Sequence, residues 1–150
     1  MNTTDRATDR TADAAEIRRL TEDWARGAND RRLEPVLAQY ADSIVAFDCI
    51  GPLRFTGLDS YRQHWQACME MCQNGFFRIE DVQVEVEGDL AFCHFLAEGG
   101  GTDDKGETCS GWMRGTRCFR RLDGAWKVVH EHCSMPFDSE TMSVPVERKS

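Results

Sequence analysis

One carboxylate, Asp48, stands at the far end of the short apolar run Ile44-Val45-Ala46-Phe47 and is followed by Cys49 and Ile50. An ionised carboxylate among apolar neighbours is costly, so its pKa is expected to rise, and a raised carboxyl is a candidate proton shuttle. A turn aspartate at a strand end gives the same pattern with no chemistry attached, because turns favour Asp. Near the C-terminus, His130, His132 and Ser134 alternate with Glu131 and Cys133. On a strand the first three share a face with Trp126, and Glu131 takes the other face. The two imidazoles suit a general acid or base, or an anchor for a polar ligand group, since histidine titrates near neutrality. A histidine bonded to backbone on a dimer face is the alternative. A metal would need a third ligand, for which His94 is the candidate; no clustered Cys or His elsewhere supports it, and neither metal nor other cofactor is expected. Which face of the last strand lines a pocket is open at this stage, and Glu131 is the rival inward group.

Further candidates are weaker alone. Arg114 and Thr116 share a strand face with Trp112 and Cys118. A buried Arg114 would require an anionic partner: Asp48, Glu131 or a ligand carboxylate. Trp24, Trp65 and Trp112 are candidates for a pocket mouth, although aromatic residues at helical spacing are usually core. Cys68 and Cys72 lie on one helix face and read as core-facing thiols rather than a metal or redox pair. Gly99-Gly100-Gly101 lacks the Lys-Ser/Thr and helix start of a phosphate loop and reads as a flexible bend.

These residues sit in a chain of 150 residues with 41% hydrophobic content and a net charge of −8, which suits one domain with a usable core. Nothing concentrates Lys and Arg into a stripe, so a nucleic-acid partner is not expected. No apolar run approaches the roughly 20 residues of a membrane span, and the polar N-terminus has no export-signal core. Seven cysteines without framework spacing read as reduced, and the chain is expected in the cytoplasm.

The elements that must position the candidates follow from periodicity. Residues 1–12 read as a disordered arm. Asp13 and Glu16 have capping-box spacing, and Ile17, Leu20, Trp24 and Ala28 give a helix to about Asn29. A short helix over Leu33–Tyr40 takes Pro35 in its first turn. Ile44–Asp48 is a strand, Gly51-Pro52 a turn, and Leu53–Phe55 pairs back. Leu58, Tyr61, Trp65, Cys68 and Cys72 mark a third helix. Phe77 and Ile79 alternate out of phase with Val82, Val84 and Val86, which predicts a bulge near Glu80-Asp81. Leu90–Glu98, Glu107–Leu122 and Ala125–Met135 complete an antiparallel meander, with a hairpin at Asp123-Gly124. Residues 138–150 read as a loose tail. Helices followed by a meander define an α+β chain, in which a curved sheet wrapped over the long helix makes a cone with a pocket at its mouth.

This order resembles the cone-shaped α+β superfamily containing nuclear transport factor two, ketosteroid isomerase and SnoaL-like polyketide cyclases. The match is carried by Tyr40-Ala41-Asp42, Phe47-Asp48-Cys49-Ile50-Gly51, Thr56-Gly57-Leu58 and the block Phe119-Arg120-Arg121-Leu122-Asp123-Gly124-Ala125-Trp126 through His130-Glu131-His132-Cys133-Ser134. It covers about residues 13–137, taken as one SnoaL-like/ketosteroid isomerase-like domain. The resemblance implies that the general-base aspartate falls on Asp48, the oxyanion-hole tyrosine on Trp24, an apolar pocket residue on His64, a supporting tyrosine on Trp65 and the second oxyanion donor on Cys118. Trp24 donates a hydrogen bond but is never acidic, and Cys118 is a weak donor. The base is matched and both oxyanion donors are changed. Losing one such donor typically costs about 10²–10³ in rate, so steroid isomerisation itself is not implied.

The expected function is cofactor-free proton transfer on a small, mostly apolar carbonyl compound, of isomerase, cyclase or lyase type. Asp48 is the base, and His132 or Trp24 helps to hold the oxygen. Trp24, His64, Trp65, Trp112, Arg114, Thr116, Cys118, His130 and Ser134 are the expected ligand contacts. The alternative is a non-catalytic ligand-binding or scaffold module of the same fold. A homodimer is expected for either, covering a convex face with Met113, Arg117, Phe119 and Val129.

Overall fold

Ile17, Thr21, Trp24 and Ala25 are buried along one stripe of helix α1 (Thr3–Asn29), as three- and four-residue steps require. On the opposite side Arg19 pairs with Glu16 at 2.7 Å and with Asp23 at 2.6 Å. The computed structural model describes residues 3–71 and 73–144, the side chains of 3–8 and 73 excepted. Cys72, and with it the expected Cys68–Cys72 face, lies outside the described residues, as do 1–2 and 145–150. The helix begins ten residues before Asp13, because no Gly or Pro interrupts positions 3–12, and Arg10 reaches Glu87 at 3.0 Å. Those positions are helix rather than the expected arm.

Helix α2 (Leu33–Leu37) carries Pro35 in its first turn and buries Val36 and Leu37. Strand β1 (Tyr40–Phe47) starts earlier than the apolar run suggested, because Tyr40 and Ala41 are already buried. Then follow β2 (Phe55–Thr56), α3 (Leu58–Met71), β3 (Gln73–Glu87), β4 (Leu90–Thr102), β5 (Thr108–Leu122) and β6 (Ala125–Ser134). The six strands form one sheet in the order β2-β1-β6-β5-β4-β3. β1 runs parallel to β6 and every other pairing is antiparallel. The fold is α+β, as the element order implied. One sheet face packs on the helices, burying Ile44, Ala46, Cys93, Phe95, Ala97, Phe119, Trp126 and Val128 with Ile17, Trp24 and Tyr61.

Two irregularities decide which side chains face the helices. The expected bulge in β3 is present, with a register shift between Glu80 and Gln83 and Asp81 at φ 54°. A second shift lies between Cys118 and Phe119, where Phe119 pairs with Val128 but Cys118 pairs with His130, leaving Val129 as the extra residue. Strict alternation from Trp126 therefore fails. Trp126 and Val128 face the core, and so does Glu131, whereas His130 and His132 stand opposite Cys118 and Thr116 on the outer face. Arg117 and Phe119 are each 1% exposed and face inward, and Met113 packs on the core, so the expected convex set of Met113, Arg117 and Phe119 belongs to the helix side.

Gly99, Gly100 and Gly101 are strand, paired with β3 and β5, not a bend. A Cβ on Gly100 would meet the Cys109 carbonyl, so the glycine permits close strand approach there. Gly115 plays the same part for an aromatic ring: a Cβ would lie 2.5 Å from the Phe95 ring. Gly115→Ala is expected to cost about 1–3 kcal/mol in urea unfolding, the usual range for overpacking. Gly111→Ala, with nothing within 4 Å of the new methyl, should stay within about 0.5 kcal/mol of the parent. Equal effects for the two would contradict this packing.

Candidate active site

Phe47 ends β1, and the chain leaves the sheet through Asp48-Cys49-Ile50-Gly51, with Gly51 at φ 92°. The Ile50 N–H donates to Asp48 Oδ1 at 3.0 Å, so Asp48 does brace a turn. Its other oxygen faces α3. Tyr61 and His64 lie three residues apart on one helix face, and both reach Asp48 Oδ2: the Tyr61 hydroxyl at 3.1 Å and His64 Nε2 at 3.3 Å. The Asp48 and His64 side chains are only 15% and 12% exposed. The His64 ring packs against Phe55, at 4.3 Å between centroids, and Tyr61, at 5.8 Å and nearly parallel.

This environment reverses the expected titration of Asp48. Burial alone raises the carboxyl, but hydrogen bonds from His64, the Ile50 N–H and Tyr61 together hold it below its ordinary value of 3.8. The hydrogen bond to Asp48, followed by contact with Cys68, lifts His64 from 6.5 to about 10. Asp48 is thus no isolated raised acid: near neutral pH it is an anion beside an imidazolium.

Behind it lies a second carboxylate. Glu131 is 4% exposed, and its Oε1 accepts from Tyr40 at 2.8 Å and Tyr61 at 2.6 Å. The Trp24 indole N–H donates to the Tyr40 hydroxyl at 2.9 Å. Arg117 Nε meets Glu131 Oε2 at 3.3 Å, and its two terminal nitrogens donate to Gln39 Oε1 at 3.2 and 3.3 Å. Burial raises the Glu131 carboxyl despite the opposing pull of Arg117 and both tyrosines. Tyr61 has a single hydroxyl hydrogen and touches both carboxylates. Either it donates to Glu131, or a protonated Glu131 donates to it and it donates to Asp48. A proton can therefore pass between the two acids through one phenol.

A cavity of about 380 Å³ opens against this network, bordered by Asp48, Cys49, His64, Glu131 and Cys133 together with Trp24, Trp65, Phe77, Phe95 and Met113. Of the sequence candidates, Trp24, Asp48, His64, Trp65, Thr116 and His132 border it. Trp24 spends its N–H on Tyr40, whereas the buried Trp65 N–H has no partner among the described residues. His132 is exposed on the outer face, its ring 5.6 Å from that of Phe47. His130 accompanies it there, with Nδ1 2.7 Å from the Val45 carbonyl. Cys118, Ser134 and the exposed Arg114 lie on that outer face too, and Arg114 reaches the Met135 carbonyl at 3.5 Å. Trp112 sits under the Arg78 guanidinium, 5.9 Å from its carbon, away from the cavity. The bulge after Val128 accounts for the inversion on β6, where the rival group Glu131 is inward; β5 alternates without an extra residue and turns Arg117, not Arg114, inward to meet it. Among the described residues no three His, Cys, Asp or Glu side chains are grouped to hold a metal.

The model of the SnoaL-like domain matches residues 17–138. The chain belongs to the SnoaL-like family. A nuclear transport factor 2-like protein of unknown function from Pseudomonas putida KT2440 is 42% identical, covers 93% of this chain and 98% of its own, and superposes with a TM-score of 0.84. At fold level only, this SnoaL-like chain is similar to a candidate dehydratase of the same superfamily from Streptomyces avermitilis (17% identity, TM-score 0.74, 85% and 99% coverage). A superfamily protein from Salmonella enterica is similar at 13% identity, with a TM-score of 0.77 and coverage of 86% and 94%. No curated protein matches the sequence. No helix among the described residues is long and apolar enough to cross a membrane.

Tyr61, Tyr40, Gln39 and Arg117 were not among the sequence-level site residues. The available signal was the spacing of Tyr61, His64 and Trp65, which puts all three on one face of a helix. The ion pair sets a pH test. His64 titrates higher in the folded chain than unfolded, so its stabilisation is complete below about 6.5 and is lost as pH rises through about 10. Asp48 titrates lower, so its share is present above 3.8 and is lost as pH falls further. The stability gap between the parent and His64→Gln should be widest between these ordinary values and shrink toward pH 10. By NMR, the His64 ring should titrate near 10 and fall toward 6.5 in Asp48→Asn; a parent midpoint already at 6.5 would disprove the pairing.

Proposed function

We propose that this SnoaL-like chain catalyses proton transfer on a small, mostly apolar carbonyl compound, with Asp48 as the base and His64 as the acid. The observation that carries this reading is the Asp48–His64 contact of 3.3 Å on the wall of a cavity otherwise bordered largely by aromatic and aliphatic side chains. Asp48 takes a proton from carbon. The imidazolium beside it donates to the oxygen where charge develops, through a charge-assisted hydrogen bond that the changed oxyanion positions Trp24 and Cys118 do not supply. Where the substrate bears a hydroxyl β to the carbonyl, the same donor protonates the leaving group and the result is dehydration. A base held below 3.8 is weak, so it suits an acidic carbon, one flanked by two carbonyl groups. Transfer of the abstracted proton from Asp48 to the neutral imidazole 3.3 Å away then restores the carboxylate–imidazolium pair.

A second reading is retention of an apolar small molecule without turnover, favoured by the same lining and by the fact that His64 already neutralises Asp48. Asp48→Asn separates the two. With any substrate that is turned over, kcat should fall by about 100-fold or more, the usual contribution of a general base. Activity within about threefold of the parent would end the catalytic reading. A homodimer remains part of the proposal, with Phe47, Leu90 and Phe92 partly exposed on the outer sheet face in need of cover. Sedimentation at micromolar concentration should give twice the chain mass, and a clean monomer would contradict it.

A further inference from the structure

We propose that Cys49 and Cys133 form a reversible disulfide on the cavity wall, closed by a small peroxide and opened by a low-molecular-weight thiol, which tightens the Asp48 segment onto β6. The two sulfurs are 3.5 Å apart, and both residues border the cavity. The parallel pairing of β1 with β6 brings them together: Phe47 lies opposite His132, so the chain just beyond each of these residues runs side by side. A disulfide needs the sulfurs about 1.5 Å closer than the observed 3.5 Å. Cys133 is fixed in a strand, but Cys49 lies past the end of β1, in a bend with no ladder partner, and can make the approach.

The other described thiols lack such a partner. Cys93 is sealed in the core against Thr21, Cys68 lies near His64, and Cys109 is exposed on β5. Within the pair the roles are unequal. The Cys133 thiol donates to the Cys49 sulfur, which lowers Cys49, while the same bond and burial push Cys133 up. Cys49, in the bend past β1 and free of the ladder, is assigned as the attacking sulfur, and Cys133, held in β6, as the resolving one.

The step balances. The Cys49 thiolate attacks one oxygen of hydrogen peroxide, the O–O bond breaks, and Cys49 sulfenic acid forms with hydroxide, which takes up the proton lost by Cys49 as water. The Cys133 sulfur then attacks the Cys49 sulfur. The S–O bond breaks, and the departing hydroxide leaves as a second water with the Cys133 proton. Two electrons pass from the two thiols to the peroxide. Two equivalents of an external thiol reverse the state by exchange.

Formation of the bond does not depend on the proton-transfer reading, because it is read without turnover. The full chain, in a Cys109→Ser background that removes the exposed thiol, is titrated with hydrogen peroxide, alkylated, digested and mapped by mass spectrometry. A Cys49–Cys133 linked peptide should be the main product, vanish on treatment with dithiothreitol, and be absent from Cys49→Ser and Cys133→Ser. Binding of the apolar dye anilinonaphthalene sulfonate should weaken by at least about threefold on oxidation, about 0.65 kcal/mol, and remain unchanged in Cys49→Ser. Oxidation that leaves Cys49 and Cys133 unlinked overturns the proposal, as does a linked protein with unaltered dye affinity. Should Asp48→Asn leave turnover intact, the catalytic reading fails while the peptide map stands.

Discussion

The buried ion pair of Arg117 with Glu131 is the constraint around which the remaining elements are arranged. A guanidinium 1% exposed needs its donors met, and it reaches Glu131 on β6 and Gln39 in the connection before β1, while Gln39 itself donates to the Leu20 carbonyl of α1 at 2.6 Å. Its flat faces lie against rings, 4.4 Å from the Trp24 centroid and 5.3 Å from that of Phe119. Breaking a buried pair by removing one partner typically costs about 3–5 kcal/mol, because the survivor is left uncompensated. The pair thus locks the mutual position of α1, β1, β5 and β6. It does so through directional bonds that apolar packing alone would not supply.

The same network carries the electrostatics of the cavity. Glu131 is buried between a cation and two phenols, and Tyr61 connects it to Asp48. Asp48 in turn faces His64, which α3 presents from the opposite side. Two carboxylates, one arginine and one imidazolium share a small volume, so the ionisation of each depends on the others. A carboxylate that looks isolated in the sequence is the cavity-facing end of a chain of groups reaching into the core.

The architecture was legible because periodicity records burial. Ile17, Leu20, Trp24 and Ala28 marked α1, the first and third of them buried and the others packed against the core, and the phase change between Ile79 and Val82 marked a true bulge. Asp48 was legible too, since a carboxylate ending an apolar strand is conspicuous. The face of β5 was misread because the resemblance carried Cys118 inward where Arg117 and Phe119 are buried, and that of β6 for a different reason. The extra residue Val129 flips the parity of everything beyond it, and no side-chain pattern in Val128-Val129-His130 betrays the shift. His64 was legible only as a pocket position, because its charge depends on Asp48, which lies on another element. Helix at positions 3–12 was hidden by polar composition, and strand at Gly99-Gly100-Gly101 by glycine, which the sheet there uses to bring Phe76 and Cys109 close.

The parallel pairing of β1 with β6 has a consequence for the order in which the molecule can be made. Val45 and His130 stand 85 positions apart in the chain, yet their strands are neighbours. A chain emerging from the ribosome has β1 complete long before its neighbour exists, and the two-residue β2 covers little of it. Until Ser134 has emerged, Asp48 has no Glu131 behind it and Arg117 has no counter-charge. Such distant closure is slow relative to local helix formation. The Asp48–Tyr61–Glu131 network is therefore completed only when β6 pairs, and a chain released short of β6 presents an open sheet edge.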